Sequence, residues 1–269
     1  MSSFASPSVP SPAEVWSTGD YAAVCNRMIP TLGVRLVELA GIRAGQEVVD
    51  VAAGCGNATL PAARRGARVT ALDVTATLLQ AGADLARAAG LDIDWVHGDA
   101  QALPFAAASF DRVLSCVGVQ FCSAQEAAAA ELVRVCRPGG RIALIAWTPG
   151  GFIGQVLRAV AAAAGGGGGR SPLDWGTEER LIELLGTGVK DLNLTFEHVE
   201  MPAESAGEWV DYMATNYGPL VRARTMLQAR GEWETLRARL TAVAAAHDVG
   251  DSSSCFTGRA EYLAAVCEV

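Results

Sequence analysis

The sequence predicts an α/β fold built on a mainly parallel sheet with helices on both faces. Three observations carry that expectation. From about residue 46, short β-branched runs alternate with helix-period runs, the order that parallel sheets require. A glycine-rich turn at Gly54–Gly56 joins the first of these strands to a helix. With 51% hydrophobic and 19% charged residues among 269, the chain can also bury a large core, which rules out wholesale disorder.

The elements follow in order. Residues 1–13 open with a Ser/Pro-rich stretch that has neither a basic start nor an apolar core, so a loose tail is expected there and not a leader peptide. Val15–Leu39 reads as one or two helices broken at Pro30. Glu47–Val51, Arg68–Asp73, Asp92–His97, Asp111–Cys116 and Arg141–Trp147 read as strands. Helices are expected from near Pro61, over Thr75–Ala89 and over Gln125–Cys136. Arg137-Pro138-Gly139-Gly140 closes the last of these and turns the chain into the fifth strand. Phe152–Ala164 is helical, and Gly165–Gly169 with Pro172 forms a flexible connection. A helix over Glu178–Leu185 and a strand over Leu194–Met201 come next. Glu204–His247 is mostly helix, with Trp233, Leu236, Leu240, Val243 and His247 on one face, and Glu261–Val266 is the last strand.

Charge and cysteine usage narrow the function. A net charge of −8, from 29 acids against 21 bases, argues against a nucleic-acid surface, which needs clustered cations. No apolar run reaches the length of a membrane span. Seven cysteines are scattered without a C-x-x-C pair or a histidine cluster, so reduced thiols in a cytoplasmic protein are expected and a zinc site is not.

The segment from Val48 to Thr59 is the most informative. A strand carrying Asp50 runs into Gly54 and Gly56, which permit a tight turn and let a ligand approach the backbone, and the following helix offers free N–H groups. Asp73 closes the next strand, where an acid accepts both hydroxyls of a ribose. Asp99, Ala100 and Gln101 follow the third strand, where a carboxylate takes an adenine amino group. Each acid alone is an ordinary turn or cap residue. At successive strand ends they mark the crevice where open α/β sheets bind ligands.

On these residues the chain resembles class I S-adenosylmethionine (SAM) dependent methyltransferases, in the small-molecule branch related to quinone-biosynthesis methyltransferases. The likeness spans residues 14–150 well and the remainder loosely. It implies a Rossmann-like seven-stranded sheet of order 3-2-1-4-5-7-6, strand seven antiparallel. Leu194–Met201 and Glu261–Val266 then become strands six and seven of a domain made of residues 14–203 and 248–269. Residues 204–247 become a helical insertion that closes as a lid over the acceptor. The implied cofactor is SAM, leaving as S-adenosylhomocysteine. Its implied contacts are Tyr21, Asp50, Ala52, Gly54, Gly56, Asn57, Asp73, Val74 and Leu78, with Asp99, Ala100, Gln101 and Cys116. Thr59 occupies the third glycine position of a dinucleotide motif, and Asp50 suits the amino end of SAM better than a pyrophosphate.

The resemblance implies methyl transfer to O, N or C of a small, largely apolar metabolite, natural-product or quinone-like, by a monomer or homodimer without nucleic-acid or membrane partners. Trp16, Gln120, Trp147, Tyr212, Met213, Asn216 and Tyr217 are the candidate acceptor contacts, Asn216 the hydrogen-bonding one. No general base is identified: His97 reads as structural, His198 sits on a strand face that parity leaves open, and His247 continues an apolar stripe. A SAM-binding cyclase or regulatory protein on the same scaffold is the alternative. An NAD-dependent oxidoreductase fits less well. So does a nucleic-acid methyltransferase, since Ser115-Cys116-Val117-Gly118 stands where an Asn-Pro-Pro-Tyr-like motif is expected.

Overall fold

The computed structural model describes residues 11–166, 170–251 and 255–269. Seven strands, β1 (Glu47–Val51), β2 (Arg68–Asp73), β3 (Asp94–His97), β4 (Phe110–Cys116), β5 (Cys136–Trp147), β6 (Lys190–Pro202) and β7 (Thr257–Glu268), form one sheet. Its order is β3-β2-β1-β4-β5-β7-β6. The first five strands pair in parallel, and β7 runs antiparallel to both β5 and β6. Ile142–Trp147 is a continuous buried run because β5 is covered on both faces, whereas much of the edge strand β6 stays exposed.

One apolar core gathers α2 (Tyr21–Met28), α3 (Leu32–Ala40) and α7 (Phe152–Ala163) against one face of the sheet. The other holds α6 (Gln125–Val135) and α8 (Glu178–Leu185), together with the 3-10 turn Pro172–Gly176 and its fully buried Trp175. Val48 and Val49, adjacent on β1, belong to opposite cores, which is the period-2 alternation of a strand.

The N-terminal region holds three helices where one or two are expected. A five-residue α1 (Pro12–Trp16) starts on a Ser11–Glu14 capping box, so residues 11–13 are ordered and not tail; residues 1–10 lie outside the described residues. Gly19, at φ 78°, separates α1 from α2, and Ile29 before Pro30, at φ −133° and ψ 39°, leaves the helical region and separates α2 from α3. Residues 137–140 do not turn the chain before β5. They bulge within it, since Phe110 pairs with Cys136 but Arg112 pairs with Arg141. The expected flexible connection falls partly on residues 167–169, outside the described residues, and its Pro172 instead opens the buried 3-10 turn.

α9 (Ala206–Asn216), α10 (Gly218–Ala229) and α11 (Trp233–Ala246) lie between β6 and β7. Trp209, Val210 and Met213 sink their side chains into the same core as α2 and α7. The chain after α1 is tied to the α9–α10 joint, where the Thr18 hydroxyl donates to the Gly218 carbonyl at 3.2 Å. Tyr217 at this joint meets Trp16 edge-on, with ring centroids 5.5 Å apart.

Candidate active site

The strand ends of β1, β2, β3 and β4 open into one cavity of about 210 Å3. Its floor is the turn after β1, where α4 (Thr59–Arg64) begins. Gly54 has φ 57° there, a left-handed conformation that costs glycine little, and its N–H donates to Asp73 Oδ2 at 2.8 Å. The Thr75 N–H donates to Asp73 Oδ1 at 2.8 Å. Both carboxylate oxygens are thus aimed by backbone donors, and each keeps acceptor capacity toward the cavity. Burial pushes the Asp73 carboxyl up, and those N–H donors pull it partly back.

On the next rim, Gln101 N–H donates to Asp99 Oδ1 at 2.9 Å, and the Gln101 carboxamide also bonds Asp99. The amide oxygen of Gln101 accepts from Ala124 N–H at 2.6 Å, which ties this loop to the start of α6. Asn57 donates to the Cys116 sulfur at 3.6 Å across the cavity floor. Ala52 and Val117, at the ends of β1 and β4, both hold left-handed backbone, with φ 56° and 50°. For the β-branched Val117 this is strained, a cost that functional sites retain.

Asp50 lies below the turn and does not line the cavity. Its Oδ2 accepts from the Thr59 hydroxyl at 2.7 Å, while Oδ1 has no hydrogen-bond partner among the described residues. Burial raises this carboxyl to about 7 against the pull of Thr59, and the Asp73 charge adds to the rise. A carboxyl raised on folding keeps its proton longer in the folded than in the unfolded chain. Its stabilising contribution is complete below the unfolded value near 4 and is lost as pH rises to about 7. At about 1.4 kcal/mol per pH unit, the loss amounts to at most about 4 kcal/mol. Asp50→Asn is therefore expected to raise the Tm above wild type at pH 8, with the gap closing toward pH 4. Parallel melting curves at both pH values would refute a buried titrating Asp50.

A second, narrower chamber of about 30 Å3 adjoins the cavity, and Trp16, Tyr21, Val117 and Phe121 line both. The Trp16 ring meets Tyr21, Phe121 and Tyr217 edge-on, with centroids 5.3, 4.9 and 5.5 Å away. Trp147, Met201 and Met213 close the far side.

The fold brings most of the sequence candidates together. Tyr21, Ala52, Gly54, Asn57, Asp73, Val74, Leu78, Asp99, Ala100, Gln101 and Cys116 line the cavity, and Trp16, Trp147, Met213 and Tyr217 line the chamber. Five candidates lie elsewhere. Asp50 and Gly56 support the turn from outside the cavity. Gln120 is buried behind β5, where its amide oxygen accepts from Trp147 N–H at 2.9 Å. Tyr212 packs beneath the Arg27 guanidinium, 4.3 Å from the ring centre. The Asn216 amide donates back to the Tyr212 carbonyl one helical turn earlier, at 2.9 Å, and Asn216 lines neither cavity. Sequence reasoning missed Phe121, Cys122 and Ser123. They follow β4 as Asp99 follows β3, and that parity of strand ends was the available signal.

All three histidines lie off both cavities. His97 bonds the Val74 carbonyl, His198 faces Glu261, and His247 stacks on Phe152 and meets Gln155.

Comparison with known proteins agrees with this geometry. A family model described as a methyltransferase domain matches residues 49–144, the span from β1 into β5. The uncharacterised Mycobacterium tuberculosis protein Rv1403c is 41% identical over 217 residues, covering 78% of each chain. A demethylmenaquinone methyltransferase from Renibacterium salmoninarum is 41% identical over 107 residues, 40% of this chain and 44% of that protein. In structure, a geranyl diphosphate methyltransferase in complex with SAM superposes with a TM-score of 0.53 at 17% identity, covering 89% of this chain and 84% of that one.

Proposed function

From the premise that the chain belongs to the SAM-dependent methyltransferases, with SAM as its cofactor, we propose that it methylates a small, largely apolar metabolite. The observation that carries this reading is the pairing of a cavity in which Asp73 and Asp99 stand at successive strand ends with a chamber whose lining is apolar and aromatic. The cavity residues fit the cofactor. Asp73 offers two aimed acceptors to a ribose diol, Asp99 and Gln101 offer a polar edge to the adenine, and the open turn at Gly54 leaves the backbone accessible. When bound, the cofactor supplies an activated methyl group on a sulfonium sulfur.

In this reading the protein aligns the acceptor, excludes water and accommodates charge. The aromatic neck of Trp16, Tyr21 and Phe121 stands where the cavity meets the chamber, and aromatic faces attract a cationic centre by about 0.5–2 kcal/mol each. Held geometry supplies up to about 7–11 kcal/mol toward such a displacement. Tyr217, at the α9–α10 joint, closes the chamber from above, so acceptor entry requires that joint to move, and residues 204–247 act as a lid. The quinone-biosynthesis relatives support a ring-bearing or quinone-like acceptor. Seven free cysteines support a reducing, cytoplasmic setting.

The test is direct. Incubating the enzyme with SAM and a panel of apolar hydroxy, amino, thiol and enolic compounds is expected to release S-adenosylhomocysteine with at least one of them. SAM binding with no S-adenosylhomocysteine from any acceptor would favour a binding or cyclase role on the same scaffold.

A further inference from the structure

The chamber that receives the acceptor contains no group able to take a proton from it. Its lining includes no Asp, Glu, His, Lys, Arg, Cys, Ser or Thr. Among the described residues, the only ionisable groups on that wall are the phenols of Tyr21 and Tyr217, and burial drives both well above the usual tyrosine range. Such phenols stay protonated at neutral pH and accept no further proton. The thiols nearest Tyr21 are Cys25, Cys55 and Cys116. Cys25 and Cys116 are pushed up, and Cys55 is pulled down by its hydrogen bond with Cys25, but Cys25 and Cys55 line neither cavity. Cys116 faces the cofactor cavity, where burial keeps it a neutral thiol.

The acids of that cavity are spoken for as well. Asp73 is held by two backbone donors and Asp99 by Gln101, both on the nucleoside side of the neck. No histidine lines either space, and the residues outside the described ones, 1–10, 167–169 and 252–254, contribute no acidic, basic, cysteine or tyrosine side chain.

We propose that this enzyme methylates acceptors that bring their own nucleophile, soft groups on an apolar frame that are already ionised at neutral pH, of which an aryl thiolate is the type, and not alcohols or weakly acidic phenols. The inference rests on the methyl-transfer reading above. The acceptor loses its proton to solvent before it enters the apolar chamber. Its sulfur lone pair then forms the new S–C bond while the methyl–sulfonium bond breaks, and the electron pair of that bond returns to the sulfonium sulfur. Anion and cation annihilate, so a charge that the apolar walls disfavour disappears as the bond forms. No proton moves in the step.

The matched probes are 2-naphthalenethiol and 2-naphthol, which share a frame and differ in the acidity of the nucleophile. Calorimetry with S-adenosylhomocysteine comes first, because absent binding there defeats the methyltransferase reading itself. With that binding in place, both probes are expected to quench tryptophan fluorescence with similar affinity. At pH 7 the thiol is expected to turn over at least about 100-fold faster than the naphthol, the lower end of what a positioned base contributes. The thiol rate should follow the thiol's own ionisation and then stay flat. Tyr21→Phe and Tyr217→Phe should leave that pH profile unshifted whatever they do to the rate. Comparable turnover of the naphthol at pH 7, or an added ionisation that a tyrosine variant removes, would overturn the proposal. So would failure of both probes to bind, or of the bound thiol to be methylated, by an enzyme that holds S-adenosylhomocysteine.

Discussion

Replacing Asp73 with alanine is expected to weaken cofactor binding by more than about tenfold while the protein still folds. The carboxylate ends β2 at the cavity wall, is only 7% exposed, and accepts the N–H groups of Gly54 and Thr75 at 2.8 Å each. Alanine removes two aimed acceptors from the ribose hydroxyls, and a hydrogen bond to a charged group contributes about 1.5–3 kcal/mol. It also orphans two backbone donors, so a lower Tm is expected alongside the loss of affinity. Because Asp73 is raised by burial, removing it also relieves a desolvation cost, which limits the loss of stability more than the loss of binding. Calorimetry with S-adenosylhomocysteine on the folded variant is the measurement. An unchanged Kd would mean that β2 does not hold the ribose.

The second large effect is expected at Gly118, where valine should lower cofactor affinity by more than about 100-fold. Gly118 has φ −95°, a conformation open to any residue, so the argument is steric alone. A Cβ there would stand 2.5 Å from the Ala52 carbonyl oxygen and 2.6 Å from the Ala52 Cβ. Neither side has slack. Ala53 N–H is bonded to the Leu72 carbonyl and Val117 N–H to the Ile145 carbonyl, which pins the ends of β1 and β4 to their neighbours. Relief therefore requires the turn carrying Gly54 to move, and the aim of Asp73 moves with it. Overpacking of this kind typically costs about 1–3 kcal/mol, so a folded variant with a reduced Tm and no measurable binding is the expected result. Near-normal binding would show that the two strand ends separate more easily than their hydrogen bonds indicate.

Much of the cofactor half was legible because its signals are local. Gly54 and the acids closing β2 and following β3 each sit at a strand end that hydrophobic periodicity locates, and they line the cavity, whereas Asp50 and Gly56 do not. Strand order then brings those ends to one rim without reference to side-chain packing. The apolar chamber was not legible to the same degree. Trp16, Trp147, Met213 and Tyr217 come from four distant parts of the chain and meet at one chamber. Tyr212 and Asn216, one to five residues from Tyr217 on the same stretch, do not reach it. Helical phase against the packed neighbour decides which side chains of such a segment face inward, and α9 is set by its burial of Trp209 and Met213.

By itself, the sequence determined the α/β class, the element alternation and the placing of Asp73 and Asp99 at successive strand ends, because periodicity and turn chemistry act over a few residues. Its resemblance to a family supplied the strand order. Only the tertiary structure decided that Asp50 supports the turn from below, that Gln120 serves Trp147 N–H, and that the apolar chamber is walled without a carboxylate, histidine or lysine. Those outcomes depend on which groups are withdrawn from water together. Burial sets both the geometry and the protonation of the side chains that it encloses, and no stretch of sequence contains all of the groups that enclose another.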